Sequence, residues 1–250
     1  MRILGVVPAR YASTRFPAKP LVDIGGKSMV QRVYEQASKS KLLTKIVVAT
    51  DDQRIADHVM AFGGQVVMTH EHHPSGTDRC YEALSLQEEE FHYVINIQGD
   101  EPFIRPEQID LLAALLDGET AIATLVKRLS DQESLFNPNV VKAVVAMDGK
   151  ALYFSRSPVP HMRNTKEEEW LQKGTFYKHI GMYGYRADTL EKLTKMEVSP
   201  LERAESLEQL RWLDNGYCIK TTETKSETIG IDTPEDLQKA LAYLKEERDL

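Results

Sequence analysis

KIVVATDDQRIADHVMAFGGQVVM, residues 45–68, decides how the rest of the chain is read. Lys45–Thr50 is a short apolar, β-branched run, and it ends at Asp51-Asp52, a helix-start signal. Ile55, Ala56, Val59 and Phe62 then recur at helical spacing, and Gly63-Gly64 stops the helix. Gln65–Met68 follows as another strand. Strand, helix, strand at this spacing predicts parallel strands in a sheet covered on both faces.

The same alternation extends outward. Ile3–Val7 reads as the first strand, residues 77–90 as a helix and Tyr93–Ile97 as a further strand, and Pro106 opens the next helix. The expected fold is therefore α/β, a Rossmann-like, mostly parallel sheet flanked by helices. Its binding sites should lie beyond the carboxyl ends of the strands. Three segments fall there: residues 8–21, Thr50-Asp51, and Gln98-Gly99-Asp100-Glu101-Pro102.

The pattern changes after about residue 120. Val140–Met147 and Ala151–Phe154 read as a hairpin around Asp148-Gly149. Residues 161–175 are polar and carry Glu167-Glu168-Glu169, which predicts an exposed, mobile excursion. Lys178–Tyr185 returns as a strand, Glu202–Leu213 as one helix, and a last helix starts near Pro234. With no repeat and no low-complexity linker, one domain over 1–250 is expected. Residues 1–120 form its mostly parallel half, and 121–250 a mixed, partly antiparallel half.

Bulk composition narrows the function. Hydrophobic residues make up 42% and charged residues 28% of the 250, ordinary for a globular protein. No apolar run approaches a membrane span, and the amino end is too short in apolar residues for a secretory signal. Cys80 and Cys218 have no metal or redox spacing and read as free thiols, which predicts a cytoplasmic protein. A net charge of -7 argues against a nucleic-acid partner. Yet residues 1–22 contain Arg2, Arg10, Arg15 and Lys19 and no acid. A local cationic loop on an acidic protein predicts one small anionic ligand.

That loop, PARYASTRFPAKPL at 8–21, lacks the spelling of a phosphate-loop NTPase and of a dinucleotide site. Ala9, Ala12 and Ser13 are small enough for backbone amides to approach a phosphate, while Arg10, Arg15 and Lys19 add cationic arms. Three cations suit a triphosphate or a departing pyrophosphate. Such a ligand arrives with a divalent cation, and Asp100 stands where a hard oxygen ligand for Mg²⁺ is needed, although it could equally cap its turn. Asp232, in Gly230-Ile231-Asp232-Thr233-Pro234, also reads as a helix start. Ser75-Gly76-Thr77-Asp78-Arg79 is either a base- or ribose-facing loop or an ordinary helix entrance. On the strand Tyr177–Arg186, His179, Gly181, Tyr183 and Tyr185 share one face, fit for a polyhydroxylated ligand or for simple half-burial. His70-Glu71-His72-His73 lacks helical metal-ligand spacing and is read as no metal site.

Taken together, PARYASTRFPAKPL, VVATDD, SGTDR, NIQGDEP, FNPNVVKAV, ALYFSR, HIGMYGYR, LEQLR and IDTPEDL resemble the 3-deoxy-manno-octulosonate cytidylyltransferase (CMP-Kdo synthetase) family, in its order and over nearly the whole chain. The resemblance implies a nucleotide-diphospho-sugar transferase fold and a transfer of CMP from CTP to Kdo for lipopolysaccharide, with pyrophosphate released. By the same resemblance, Ala9, Arg10, Ser13, Arg15, Lys19, Ser75, Arg79 and Gln98 hold the nucleotide, with Arg10, Lys19 and Asp100 catalytic. Asp100 and Asp232 hold magnesium, two ions being plausible. Arg156, His179, Tyr185, Glu208 and Gln209 line the sugar pocket. A homodimer built near the second-half hairpin is also implied. Related acceptors, an 8-amino relative of Kdo or a sialic-acid-like sugar, and a non-catalytic nucleotide-binding regulator are the competing readings. One departure is visible: Ala18 stands where the family usually has glycine, which predicts modest strain if the position needs a positive φ.

Overall fold

A computed structural model of the chain describes residues 1–12, 16–226 and 230–248. It forms two compact units, Met1–Ala113 with Glu227–Leu250, and Ala114–Ser226.

The first unit alternates as the opening stretch predicts. Its elements are β1 (Ile3–Ala9), α1 (Met29–Ala37), β2 (Lys45–Thr50), α2 (Gln53–Ala61), β3 (Val66–Met68), α3 (Gly76–Ser85), β4 (Tyr93–Asn96) and α4 (Pro106–Ala113). The strands pair in parallel in the order β3-β2-β1-β4. Parallel strands with helices on both faces have no solvent side, and β1 and β4 are accordingly buried almost throughout. The helices begin where the sequence signals them. Asp52 caps α2 by accepting from the Arg54 amide, and Ser75 caps α3 by accepting from the Asp78 amide.

The second unit contains β5 (Ile122–Arg128), α5 (Gln132–Phe136), β6 (Lys142–Val145), β7 (Ala151–Ser155), α6 (Trp170–Lys173), β8 (Tyr177–Arg186), α7 (Ala187–Thr194), α8 (Pro200–Glu205), α9 (Gln209–Asp214) and β9 (Ile219–Glu223). β5 is central, antiparallel to β8 and parallel to β9. β6 and β7 form the expected hairpin, and Gly149 takes φ 81° at its turn. The last helix, α10 (Pro234–Arg248), belongs to the first unit. Ile231 and Ala240 share an apolar cluster there with Ile24 and Met29, and Phe16, Phe103, Leu237, Leu241 and Leu244 pack against it.

Two expectations need correction. The polar stretch 161–175 is exposed at Glu167 and Glu168, but Trp170 is only 2% exposed and packs with Leu129, Leu135 and Phe176. One large aromatic anchors an otherwise polar segment, and its ring lies 5.8 Å from that of Phe176. The helix expected over 202–213 is two helices. Ser206 adopts φ 52°, ψ 48° and ends α8, and α9 begins at Gln209. A left-handed turn is usually glycine; a serine there costs about 1–2 kcal/mol and persists only where its surroundings hold it.

Candidate active site

β1 delivers the chain into the cationic loop. Arg10 is exposed and forms no hydrogen bond or ion pair among the described residues. Ala9 is buried at the end of β1, level with Thr50 of β2. Tyr11 is clasped from outside: the Arg54 guanidinium carbon lies 3.3 Å from its ring centroid. Ser13 and Arg15 lie outside the described residues. The loop then turns back at Ala18, whose amide donates to the Tyr11 carbonyl at 3.1 Å. Ala18 takes φ 57°, ψ 18°, so the departure from glycine falls on a left-handed position.

That turn aims Lys19. Its Nζ donates to Asp100 Oδ2 at 2.9 Å and to Asp232 Oδ1 at 3.0 Å. Burial lowers the Lys19 pKa, but the charges and hydrogen bonds of Asp100 and Asp232 outweigh it, and the net shift is upward. The two carboxylates come from distant segments, and the backbone joins them: the Ile231 amide donates to the Asp100 carbonyl at 2.9 Å. Gly99 permits the close approach on the other side. A Cβ there would stand 2.5 Å from the Pro8 carbonyl oxygen. Gln98 precedes it, partly buried just past β4.

The same donor set fits a hard divalent cation. Asp100 and Asp232 converge on one point from two sides, with 30% and 49% of their side chains accessible. Among the described residues no group of three or more His, Cys, Asp or Glu could hold a metal. Two carboxylates with room for waters and phosphate oxygens match magnesium, which keeps part of its water shell.

The SGTDR loop is a helix entrance built on a buried cation. Ser75 Oγ donates to Asp78 Oδ2 at 2.6 Å besides capping α3. Arg79 is 0% exposed; its Nη1 donates to Thr69 Oγ1 at 2.6 Å and lies 3.0 Å from Asp51 Oδ1. Its Nε and Nη2 are buried without a hydrogen-bond partner among the described residues. Burial lowers its pKa while the Asp51 charge opposes that shift. Arg79 thus holds the ends of β2 and β3 together from beneath rather than reaching outward. In the histidine stretch, His73 Nε2 bonds Glu82, and the His70 amide donates to the same carboxylate at 2.7 Å.

In the second unit the β8 face assembles as alternation predicts. β8 carries two extra residues opposite Thr124-Leu125, so the parity of the strand survives the bulge. Thr124 Oγ1 fills the bulge, donating to the Met182 carbonyl at 2.8 Å and standing 3.0 Å from His179 Nε2. The His179 and Tyr183 rings are 5.1 Å apart, and Tyr183 and Tyr185 are 5.8 Å apart. Burial pushes the His179 pKa down to about 3, so the ring is neutral in the physiological range. Tyr185 is fully buried and meets Trp212 edge-on. Tyr183 is the more telling tyrosine. Its hydroxyl is buried without a hydrogen-bond partner among the described residues, and burial together with the Glu208 charge raises its pKa well above the usual range. Its membership of the shared face was readable; its edge-on packing against Trp212, at 5.0 Å between ring centroids, was not. Glu208 and Gln209 begin α9, Gln209 buried and Glu208 partly so. Arg156 is committed to main chain: Nε donates to the Glu205 carbonyl at 2.7 Å, Nη1 to Pro138 at 3.1 Å and Nη2 to Ser206 at 3.3 Å.

Residues 4–229 match the cytidylyltransferase family profile. The chain is 58% identical to a 3-deoxy-manno-octulosonate cytidylyltransferase of Parabacteroides distasonis, over 98% of each chain. The chain belongs to the 3-deoxy-manno-octulosonate cytidylyltransferase family. The relative of the same name in Phocaeicola vulgatus is 56% identical, again over 98% of each chain. A solved CMP:2-keto-3-deoxy-manno-octonic acid synthetase complexed with CTP superposes with a TM-score of 0.91 at 43% identity. The match covers 99% of this chain and 100% of that one. The helix-covered α/β sheet expected from residues 45–68 is the fold of this family.

Proposed function

We infer that the protein is a cytidylyltransferase that activates 3-deoxy-manno-octulosonate with CTP, giving CMP-Kdo and pyrophosphate for lipopolysaccharide synthesis. The observation that carries this reading is the convergence of Asp100 and Asp232 on Lys19, at the end of a cationic loop, in a chain with the full-length relatives named above. The anomeric hydroxyl attacks the α-phosphorus, its oxygen forms the new P–O bond, and the bond to pyrophosphate breaks. Such chemistry is accelerated by positioning and by neutralising charge on the phosphates. Arg10, Arg15 and Lys19 supply cations for the triphosphate, with small residues Ala9 and Ser13 leaving room for it. Ser75 and Gln98 border the nucleotide, and Arg79 acts from beneath through Asp51 and Thr69. Magnesium held by Asp100 and Asp232, when bound, supplies further neutralisation of phosphate charge. Lys19 then holds the two carboxylates ready and contributes its own charge to the leaving group.

The acceptor end is read in the second unit. His179 is neutral and therefore a hydrogen-bonding group, not a counter-charge for the sugar acid. Glu208, Gln209 and the unmatched Tyr183 hydroxyl suit a polyhydroxylated ligand. Tyr185 and Arg156 support that surface from behind. Met147 is fully exposed and Leu152 is 61% exposed on the β6–β7 hairpin, which favours a homodimer formed through that hairpin. A cytoplasmic location follows from where CTP is available; no helix among the described residues is long and apolar enough to cross a membrane.

The test is pyrophosphate release with CTP and magnesium, comparing Kdo, its 8-amino analogue and N-acetylneuraminate. Release with Kdo is expected, and Asp100→Asn should lower kcat by about a hundredfold or more while the protein stays folded. Release with another acid alone would move the acceptor assignment. Undiminished turnover in Asp100→Asn would overturn the metal assignment.

A further inference from the structure

We propose that Glu205 is a positioning residue for the acceptor end of the site: with Arg156 and Ser155 it locks the break between α8 and α9, and so sets where Glu208 and Gln209 stand. The inference rests on the acceptor-site reading above. Glu205 is partly buried, and both carboxylate oxygens and its carbonyl are used. Oε1 accepts from Ser155 Oγ at 2.6 Å, Oε2 accepts from the Arg156 amide at 2.9 Å, and its carbonyl accepts from Arg156 Nε at 2.7 Å. Ser155 is buried at the end of β7, so the carboxylate is tied to the sheet. Arg156 completes the lock by donating to the Ser206 carbonyl, on the residue with left-handed backbone.

The arrangement answers a question the helix break raises. Ending α8 leaves carbonyls without amide partners, and a left-handed serine is unfavourable alone. Arg156 takes two of those carbonyls, and Glu205 holds Arg156's own amide in return. Two residues later Glu208 starts the next helix, with the Leu210 amide bonding the Leu207 carbonyl at 3.1 Å and the Arg211 amide bonding the Glu208 carbonyl at 3.0 Å. An unbroken helix over 202–213 would turn Glu208 and Gln209 to other directions. Lys142 extends the network: fully buried, its Nζ donates to the carbonyls of Asn137 and Val140 at 2.9 and 2.7 Å, and this fixes the loop whose Pro138 carbonyl receives Arg156.

α8 and α9 have a separate tie. Arg211 grips Glu202 through two contacts of 2.7 Å and also donates to the Met196 carbonyl at 3.0 Å. Loss of Glu205 should therefore loosen the break without unfolding the unit.

The test uses the full chain. In Glu205→Ala the KM for Kdo should rise roughly tenfold or more, with the KM for CTP within about twofold of the parent. Glu205→Gln should recover most of the loss, because an amide can still accept from the Arg156 N–H and donate to Ser155 Oγ. Hydrogen exchange supplies a readout independent of activity: amides of residues 207–213 should exchange about tenfold faster in Glu205→Ala, with the rest of the protein unchanged. Unchanged exchange there, or equal rises in both KM values, would overturn the proposal. If Glu208→Ala also leaves the Kdo KM unaltered, the acceptor-site reading itself has failed, and with it the proposal; if Glu208→Ala raises it and Glu205→Ala does not, only the positioning role is refuted.

Discussion

At the scale of single residues, Ala18 and His179 make opposite compromises. Ala18 occupies a left-handed position with φ 57°, where its methyl group is opposed by the following carbonyl. Ala18→Gly should relieve that opposition but loosen the unfolded chain as well, so a net gain of about 1 kcal/mol or less is expected in chemical denaturation. Lys19 follows directly, so CTP turnover in the same variant reports whether the tight turn also holds its aim. His179 is stabilised in its neutral form, with a folded pKa of about 3 against an ordinary value of 6.5. The sign follows from proton counting. Between those values the unfolded chain binds a proton that the folded chain does not, so stability falls as pH drops from 6.5 toward 3. The slope from this one group is at most about 1.4 kcal/mol per pH unit. His179→Gln should flatten it, and thermal melts of both proteins between pH 7 and pH 4 would show the difference. Parallel melting curves would place the titration elsewhere.

Elements show where pattern reading works and where it stops. β2, α2 and the β6–β7 hairpin follow from runs, caps and a glycine turn, all of them local. β5 and β9, at the centre and edge of the second unit's sheet, went unread although Asp117-Gly118 and Asn215-Gly216, glycines with positive φ, precede them. The 161–175 stretch misleads because polar residues outnumber its one anchor. Trp170→Ala should remove a buried aromatic that contacts Leu129, Leu135 and Phe176, at a cost of about 3–5 kcal/mol. A loss below about 1 kcal/mol in urea unfolding would mean the segment is not anchored. The 202–213 helix misleads differently. Its periodicity is sound on both sides of Ser206, and the break is stabilised by Arg156, a residue about fifty positions earlier.

For the whole molecule, chemistry is spread over distant parts of the chain. Residues 230–248 cluster with the first unit, which is how Asp232 reaches Lys19 and Asp100. The motif IDTPEDL was readable as a candidate ligand and more strongly as a helix start. It is a helix start, Asp236 Oδ2 accepting from the Thr233 amide at 3.1 Å at the start of α10, and it also turns Asp232 to Lys19. Assembly is also a property of this scale. Leu152→Asp should convert a hairpin-mediated dimer to monomer in sedimentation velocity, since a charge on an apolar contact must be desolvated. An unaltered sedimentation coefficient would place any dimer contact on another surface.

The alternation of strand and helix, the cationic loop and the family were legible along the chain, because periodicity, caps and contiguous motifs are local. The sequence also named Asp100, Asp232, His179, Glu208 and Gln209. Tertiary structure alone decided which of those groups meet. Asp100 and Asp232 are brought together by Lys19 and by the Ile231 amide, and Trp212 packs edge-on against both the Tyr183 and the Tyr185 ring. Arg79 and Arg156, long cations that looked outward-reaching, are instead held by Asp51, Thr69 and main-chain carbonyls. A guanidinium in a partly dry interior gains more from fixed acceptors than from water only when those acceptors are already positioned, and that positioning comes from the packed fold.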